Sequence, residues 1–264
     1  MMALQLCYAQ TPLLWGVFCC YDCSMDLKII EEFQKFLQPN SSIHAMWIAG
    51  SVAEGYNDEL SDVDLWLDID DGQDQATFNV IEEFLQTKGE LDVSFSEGVT
   101  PPFSHKVYHL AQMDPLHFIK ITLHSHSHKF GLFDSLRKIK VLFDKDNAIK
   151  FEPFTESSYN KMLAERKAFL IEKIGLGELS VKKEIKRHQF PDAIHNYLFW
   201  LVEPIVELAR IKYSPLKITY NLKHASRDLP KDTVDEIEHL YTVASLEDLN
   251  DKIESVKAML KKYS

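Results

Sequence analysis

Two aspartates, Asp62 and Asp64, stand two residues apart and are the strongest candidates for chemistry in this chain. Side chains two positions apart on a β-strand point to the same side, so a strand here would present both carboxylates together. Adjacent carboxylates repel each other. Mg²⁺ relieves that repulsion, because it takes hard oxygen ligands, commonly one or two carboxylates plus phosphate oxygens. The pair therefore predicts a magnesium site for a phosphate-bearing ligand.

A glycine and two serines flank the aspartate pair. Gly50 and Ser51 follow the short apolar run of residues 43–49. A glycine there lets backbone N–H groups approach a phosphate, and a serine hydroxyl adds a donor. Ser61 directly precedes the pair, and we expect it to cap the turn into the acidic strand. Each element alone is common on solvated surfaces, so the order and spacing carry the prediction.

Hydrophobic periodicity predicts the elements that position these residues. The amino-terminal part reads as two amphipathic helices and five short strands. The predicted helices are residues 26–37 and 75–87, and the predicted strands are residues 43–49, 63–69, 91–95, 106–110 and 118–124. Beyond residue 154 the pattern is helical, with predicted helices at residues 156–174, 181–187, 191–212, 216–226, 231–243 and 246–263.

These patterns predict two domains of different class. Residues 25–154 are expected to form an α/β (α+β) domain around a small mixed sheet. Residues 155–264 are expected to form an all-α helical bundle. We interpret residues 1–24 as a non-structural N-terminal extension, because they lack Lys and Arg and because helical periodicity starts at Met25. The alternative is a cleaved signal or a membrane tether, which a positively charged start would favour.

The cysteine content indicates the cellular compartment, and the net charge indicates the class of ligand. All four cysteines fall within the first 23 residues, so the body has no disulfide framework, as is typical of a cytoplasmic protein. The net charge is −11, and residues 25–154 carry eleven Lys and Arg against twenty-two Asp and Glu. An acidic region disfavours a long nucleic-acid track, which needs basic side chains. It suits a divalent metal and a cationic small substrate, although an acidic surface also simply confers solubility.

The motif as a whole resembles a known signature. Gly50-Ser51, then Gly55, then the run of residues 61–65 resembles the DNA polymerase beta-like nucleotidyltransferase superfamily. Within that superfamily, an acidic sheet domain followed by a helical domain is similar to the aminoglycoside and lincosamide adenylyltransferases. This resemblance implies that the helical domain of residues 155–264 binds substrate. The sharp part of the motif covers only about twenty residues, and the remaining chain supports the resemblance by its two-domain pattern.

The resemblance implies a function and a set of roles. It implies a metal-dependent nucleotidyltransferase that moves a nucleoside monophosphate, AMP from ATP, to a hydroxyl of a small molecule such as an aminoglycoside-like acceptor. Gly50, Ser51 and Ser61 would contact the nucleotide, and Asp62 and Asp64 would hold Mg²⁺. The acidic charge of residues 25–154 argues against a long nucleic acid as partner, and the lack of an uninterrupted apolar stretch of about 18 residues argues against a membrane. The acceptor and the oligomeric state stay open.

A third carboxylate is expected on a neighbouring strand, as second-metal ligand or general base. Asp92 follows the helix after the acidic strand and resembles the acid that streptomycin adenylyltransferases carry at a similar place. We predict that it lies beside the aspartate pair, because sequential strands tend to pair. The later strand at residues 118–124 contains no acid. Glu203 and Glu207 are the next candidates for a base, and without any third acid the fold would be kept with weakened or lost activity.

Three alternating histidines form a second candidate site. On a continuing strand, His124, His126 and His128 would share one face and could bind zinc or manganese. The alternative is a polar strand end, because no fourth ligand lies nearby in the sequence.

Two rival functions also fit the motif. One is a protein-modifying adenylyltransferase of the toxin–antitoxin type, and the other is a catalytically weakened nucleotide-binding protein of the same fold. Metal-dependent release of pyrophosphate separates the weakened protein from both enzymes.

Overall fold

The structure is a computed structural model that describes residues 24–100, 102–130, 136–151 and 154–263 of the 264-residue chain. The chain divides into two compact units, residues 1–152 and residues 153–264. The predicted extension lies outside the described residues, apart from Ser24, at which the first helix begins.

The first unit contains six described strands and three described helices. In chain order these are α1 (Ser24–Leu37), β1 (Ile43–Ile48), α2 (Gly50–Glu54), β2 (Val63–Ile69), α3 (Asp74–Gln86), β3 (Leu91–Thr100), β4 (Phe103–Leu110), β5 (Ile119–Ser125) and β6 (Lys140–Asp144).

The six strands form one sheet in the spatial order β3-β4-β5-β2-β1-β6. Strands β2 and β5 run parallel, and the other neighbouring pairs run antiparallel. The predicted small mixed sheet is therefore confirmed. The acidic strand β2 is central, between β1, whose end leads into the Gly-Ser turn, and β5.

Alternation along β2 gives the sheet two different faces. Val63 and Leu65 belong to a large buried cluster that also includes Phe33 of α1 and Ile81 of α3. Because side chains alternate along a strand, Asp64 lies on the opposite face. The helices thus exclude water from one face. The opposite face is polar around Asp64, and farther along it carries a smaller buried cluster that includes Trp47 and Phe130, against which Trp66 packs.

The edge strand β6 was not predicted from the sequence. It is a five-residue strand, Lys-Val-Leu-Phe-Asp, with a charged residue at each end. It pairs with β1, so it completes the sheet on the side away from β5. Its length and charges give almost no periodicity signal, and only the long-range pairing with β1 identifies it.

Within residues 154–263 the second unit has helices and no strand, so its predicted all-α class is confirmed. The helices are α4 (Glu156–Lys186), α5 (Phe190–Tyr197), a π-helix (Leu198–Val202), α6 (Glu203–Tyr213), a 3₁₀-helix (Pro215–Tyr220), α7 (Ala225–Asp228), α8 (Lys231–Tyr241) and α9 (Leu246–Tyr263). No helix among the described residues is both long and apolar enough to cross a membrane.

A π-turn interrupts the predicted helix at residues 191–212. The Glu203 N–H donates to the Leu198 carbonyl, five residues back. Pro204, which has no N–H to donate, stands at the start of α6. The sequence predicted that Pro204 would kink this helix. The structure shows a change from i→i−4 to i→i−5 hydrogen bonding directly before the proline.

Helix α4 is continuous where the sequence predicted a break between residues 174 and 181. The buried Gly177 explains the difference. A Cβ at this position would lie 2.4 Å from the Trp200 Cβ and 3.1 Å from the Trp200 carbonyl oxygen. The glycine therefore serves close helix packing and does not end the helix.

We expect Gly177→Ala to destabilise the protein by about 1–3 kcal/mol, because the added methyl group overpacks a contact with backbone. Gly175→Ala is the matched control two residues away. Its Cβ would meet nothing within 4 Å, so alanine is expected to stabilise the helix by about 0.8–1 kcal/mol. Urea unfolding of both variants measures the difference, and equal effects at the two positions would contradict the packing role of Gly177.

Candidate active site

The turn after β1 brings Gly50 against Asp64. The Ala49 N–H donates to the Asp64 carbonyl oxygen at 2.9 Å. Gly50 has φ +65°, and a Cβ built on it would lie 1.9 Å from Asp64 Oδ2. Both the left-handed backbone and the missing side chain are therefore required for the Asp64 carboxylate to occupy its place.

Asp62 directly precedes β2 and contacts two parts of the neighbouring chain. Its Oδ1 accepts a hydrogen bond from the Phe118 N–H at 3.1 Å. Its Oδ2 lies 2.6 Å from the Lys120 Nζ. Lys120 is also the register partner of Asp64 across the parallel pair β2 and β5. The structure thus places Asp62, Asp64 and Lys120 together on the polar face of the sheet.

Lys120 is a site residue that the sequence analysis missed. Burial lowers the pKa of its ammonium, but the hydrogen bond to Asp62 and the charges of Asp62, Asp64 and Glu97 outweigh burial, so the pKa stands above its usual value. The lysine is therefore a full positive charge at neutral pH. Its position in the predicted strand at residues 118–124 was the available signal, but the sequence does not reveal which strand lies beside β2.

The two serines are placed differently. Ser51 lies in α2, and its carbonyl oxygen accepts the N–H groups of Gly55 and Tyr56 at 3.0 and 3.1 Å. The Ser61 hydroxyl donates to Asp58 Oδ1 and accepts the Asp58 N–H, both at 2.9 Å. Ser61 therefore holds the turn before the aspartate pair, as a capping residue does. Contact of either serine with a nucleotide stays a prediction.

The expected pairing of the Asp92 strand with β2 is wrong. Strand β3 lies at the edge of the sheet and pairs with β4, so β4 and β5 both stand between Asp92 and Asp64. Three strand steps of about 4.8 Å separate them by roughly 14 Å. Strand β3 pairs with β4 because a short connection joins these two strands into an antiparallel hairpin. The prediction had considered only that β3 follows β2 closely in the sequence.

The Asp92 carboxylate pairs instead with a histidine. Asp92 Oδ1 lies 2.6 Å from His109 Nδ1, and His109 Nε2 lies 3.0 Å from the Asp114 carbonyl oxygen. The hydrogen bond to Asp92 raises the pKa of His109, against a smaller opposing effect of burial. With both ring nitrogens next to oxygen acceptors, the imidazolium form is stabilised.

Asp62 and Asp64 are the two carboxylates that the aspartate pair offers to a metal, and Glu97 is near enough for its charge to act on Lys120. Among the described residues, no group of three or more His, Cys, Asp or Glu side chains is arranged to hold a metal ion. Asp62 and Asp64 by themselves fit one Mg²⁺, since this ion is commonly held by one or two carboxylates and completes its shell with water and phosphate oxygens. The chemistry of the pair therefore fits a single ion brought with a nucleotide.

The three histidines do not form the shared face expected on a continuing strand. Strand β5 ends at Ser125, so His126 and His128 lie in the turn beyond it. His124 Nδ1 and His126 Nδ1 lie 3.0 and 2.5 Å from the two carboxylate oxygens of the buried Asp68. His124 and His126 thus belong to a histidine–aspartate cluster at the end of β5, which fits a polar strand end better than a zinc or manganese site.

The comparison with protein families agrees with the motif. Residues 31–112 match the model of the family described as polymerase beta, nucleotidyltransferase. This stretch includes Gly50, Asp62 and Asp64. Residues 31–112 are therefore similar to a nucleotidyltransferase domain of the polymerase beta type, which agrees with the superfamily resemblance predicted from the sequence. No curated protein matches the chain in sequence.

Solved structures with a similar fold include two adenyltransferases. An aminoglycoside 6-adenyltransferase from Bacillus subtilis is 15% identical, with 90% of this chain and 86% of that chain covered and a TM-score of 0.35. A spectinomycin adenyltransferase from Enterococcus faecialis, with ATP and spectinomycin, is 12% identical, with 89% and 90% covered and a TM-score of 0.33. A nucleotidyltransferase-like protein from Exiguobacterium sibiricum is 9% identical, with 90% and 74% covered and a TM-score of 0.39. Values this low do not identify a substrate for this chain.

Proposed function

We propose that this protein transfers AMP from ATP to a hydroxyl of a small-molecule acceptor, with Mg²⁺ held by Asp62 and Asp64. The observation that carries the proposal is the fit of the Asp64 carboxylate against Gly50, at a left-handed turn that admits no side chain. The match of residues 31–112 to the nucleotidyltransferase family supports the class of reaction.

The reaction joins the acceptor to the α-phosphate. The acceptor oxygen forms a bond to the α-phosphorus, the bond from that phosphorus to the bridging oxygen of the β-phosphate breaks, and pyrophosphate leaves with the electron pair. The hydroxyl proton passes to water. Mg²⁺, when bound, neutralises charge on the phosphate oxygens during the in-line displacement.

Residues of this chain supply positioning and charge. Asp62 and Asp64 hold the metal, and Gly50 fixes the place of the Asp64 carboxylate. The turn at Gly50 and Ser51 offers backbone and hydroxyl donors to the phosphates. Preorganised charges and dipoles aimed at the reacting phosphate are commonly the largest single contribution to the rate of such a site.

An aminoglycoside-like acceptor fits the charge of the first domain. Residues 25–154 carry twenty-two Asp and Glu against eleven Lys and Arg. An acidic surface attracts polycationic molecules and raises their local concentration. The helical domain of residues 155–264 is proposed to bind this acceptor, and a cytoplasmic location remains a prediction.

The role of Asp92 is tested by Asp92→Asn. A base within reach of the acceptor contributes about a hundredfold to ten-thousandfold. Because Asp92 pairs with His109 on the edge side of the sheet, we expect turnover to fall by less than about tenfold. Initial rates of pyrophosphate release measure this effect. A loss of about a hundredfold or more at unchanged melting temperature would restore Asp92 as the base.

The proposed function is tested by pyrophosphate release. The purified protein is assayed with Mg²⁺, each of the four nucleoside triphosphates and a panel of aminoglycosides and lincosamides. We expect acceptor-dependent release with ATP, and mass spectrometry of the acceptor should show the added AMP. Nucleotide binding with no release for any acceptor would instead favour the non-catalytic protein. Transfer of AMP to a protein would favour the protein-modifying enzyme.

A further inference from the structure

Lys120 stands where a third acid would complete a pair of metal sites. Strand β5 is the parallel neighbour of β2, and Lys120 is the residue in register with Asp64. Two divalent ions in a phosphate-transfer site lie about 3.5–4 Å apart and clamp the attacking and leaving oxygens. Such a pair needs bridging carboxylates, and this position of β5 provides an ammonium instead.

The charges of the three side chains limit what the site attracts. Asp62 and Asp64 contribute two negative charges, and Lys120 removes one of them. A first divalent ion still finds two carboxylates. A second divalent ion would find no carboxylate on the neighbouring strand β5 and would lie beside the ammonium of Lys120, which repels it.

We propose that the Lys120 ammonium is a resident cation of this site that takes the place of a second divalent ion. It holds Asp62 when no nucleotide is bound and contacts the phosphate chain when a nucleoside triphosphate binds. The site accordingly uses a single divalent ion. This inference rests on the proposed function for the identity of its ligand.

Exposure and hydrogen-bonding capacity both support this role. The Lys120 side chain is 43% exposed, whereas that of Asp62 is 22% exposed, so the ammonium can be reached from the polar face. A lysine ammonium has three N–H donors. The bond to Asp62 uses one of them, and the others suit phosphate oxygens, for which lysine acts as a compact point charge.

The test measures two affinities that should move in opposite directions in Lys120→Met. Without divalent ions, in EDTA, we expect ATP binding to weaken by about tenfold to a hundredfold, because one charged contact to phosphate is lost. With a non-hydrolysable ATP analogue present, we expect Mn²⁺ binding to tighten by at least about threefold, because a neighbouring positive charge is removed. Electron paramagnetic resonance counts the bound Mn²⁺, and we expect one ion per wild-type protein.

Two further variants distinguish this role from a merely structural ion pair. Lys120→Arg keeps the charge, so both affinities should stay within about threefold of wild type. Lys106→Met removes a strand lysine that pairs with Glu82 at 2.9 Å and lies over the Phe78 ring of α3, on the helix-covered face. Whatever its effect on the melting temperature, this variant should change neither affinity.

Two bound Mn²⁺ ions in the wild-type complex would overturn the inference, and so would a Lys120→Met variant in which both affinities are unchanged or both fall. The proposed function is judged separately by pyrophosphate release. An active enzyme with two ions would refute the resident cation and keep the function. One bound ion and opposite shifts without any turnover would keep the resident cation and refute the transferase.

Discussion

Asp64→Asn is expected to lower nucleotidyl transfer by at least about a hundredfold to a thousandfold while the protein stays folded. The amide keeps the shape of the side chain beside Gly50, but it loses the charge that holds Mg²⁺. Asp62→Asn should act in the same direction. Acceptor-dependent pyrophosphate release and Mn²⁺ titration measure the two losses, and both should occur at a melting temperature close to that of the wild type.

Asp235→Asn is the control for loss of a carboxylate. Asp235 lies on α8, pairs with Lys231 and is 56% exposed. An exposed pair of this kind contributes little to stability, so this variant should retain wild-type turnover. Near wild-type transfer by Asp64→Asn would contradict the metal assignment.

Gly50→Ala should disable the same site from the neighbouring turn. A Cβ at Gly50 overlaps Asp64 Oδ2 at 1.9 Å, so either the carboxylate or the turn must move. A displacement of about 1 Å in a catalytic group costs on the order of a hundredfold in rate, and we expect a loss of at least that size. The left-handed backbone adds about 1–2 kcal/mol of strain for a residue with a side chain.

Gly55→Ala separates strain from overlap. Gly55 has φ +82°, but a Cβ there meets nothing within 4 Å. Gly55→Ala should lose about 1–2 kcal/mol of stability from its left-handed backbone and keep most of its turnover. Urea unfolding and initial rates on both variants provide the comparison. Equal losses of turnover at Gly50 and Gly55 would show that the contact with Asp64 is unimportant.

The central part of the fold could be predicted from local pattern. Strand β2 was predicted with its observed bounds, Val63–Ile69, because its buried residues alternate with polar ones. Strand β6 and the course of α4 through Gly177 could not be predicted in this way. The first depends on pairing with β1, and the second depends on a close contact with Trp200. Neither partner is near in the sequence.

The superfamily resemblance and the candidate site residues could both be predicted from the local sequence. Gly50, Asp62 and Asp64 lie within fifteen residues of one another. A short strand–turn–strand unit holds them, so its own backbone geometry fixes their relative positions. The family match to residues 31–112 agrees with that local signal.

Which side chains lie beside the aspartate pair follows from the order of the strands in the sheet. Strand order depends on pairings between distant segments, and it placed Lys120 of β5 against Asp62 and moved Asp92 to the far edge of the sheet. A one-dimensional pattern records which residues alternate along a strand. It does not record which strand is the neighbour, because that choice follows from how the helices and loops of the whole domain pack together.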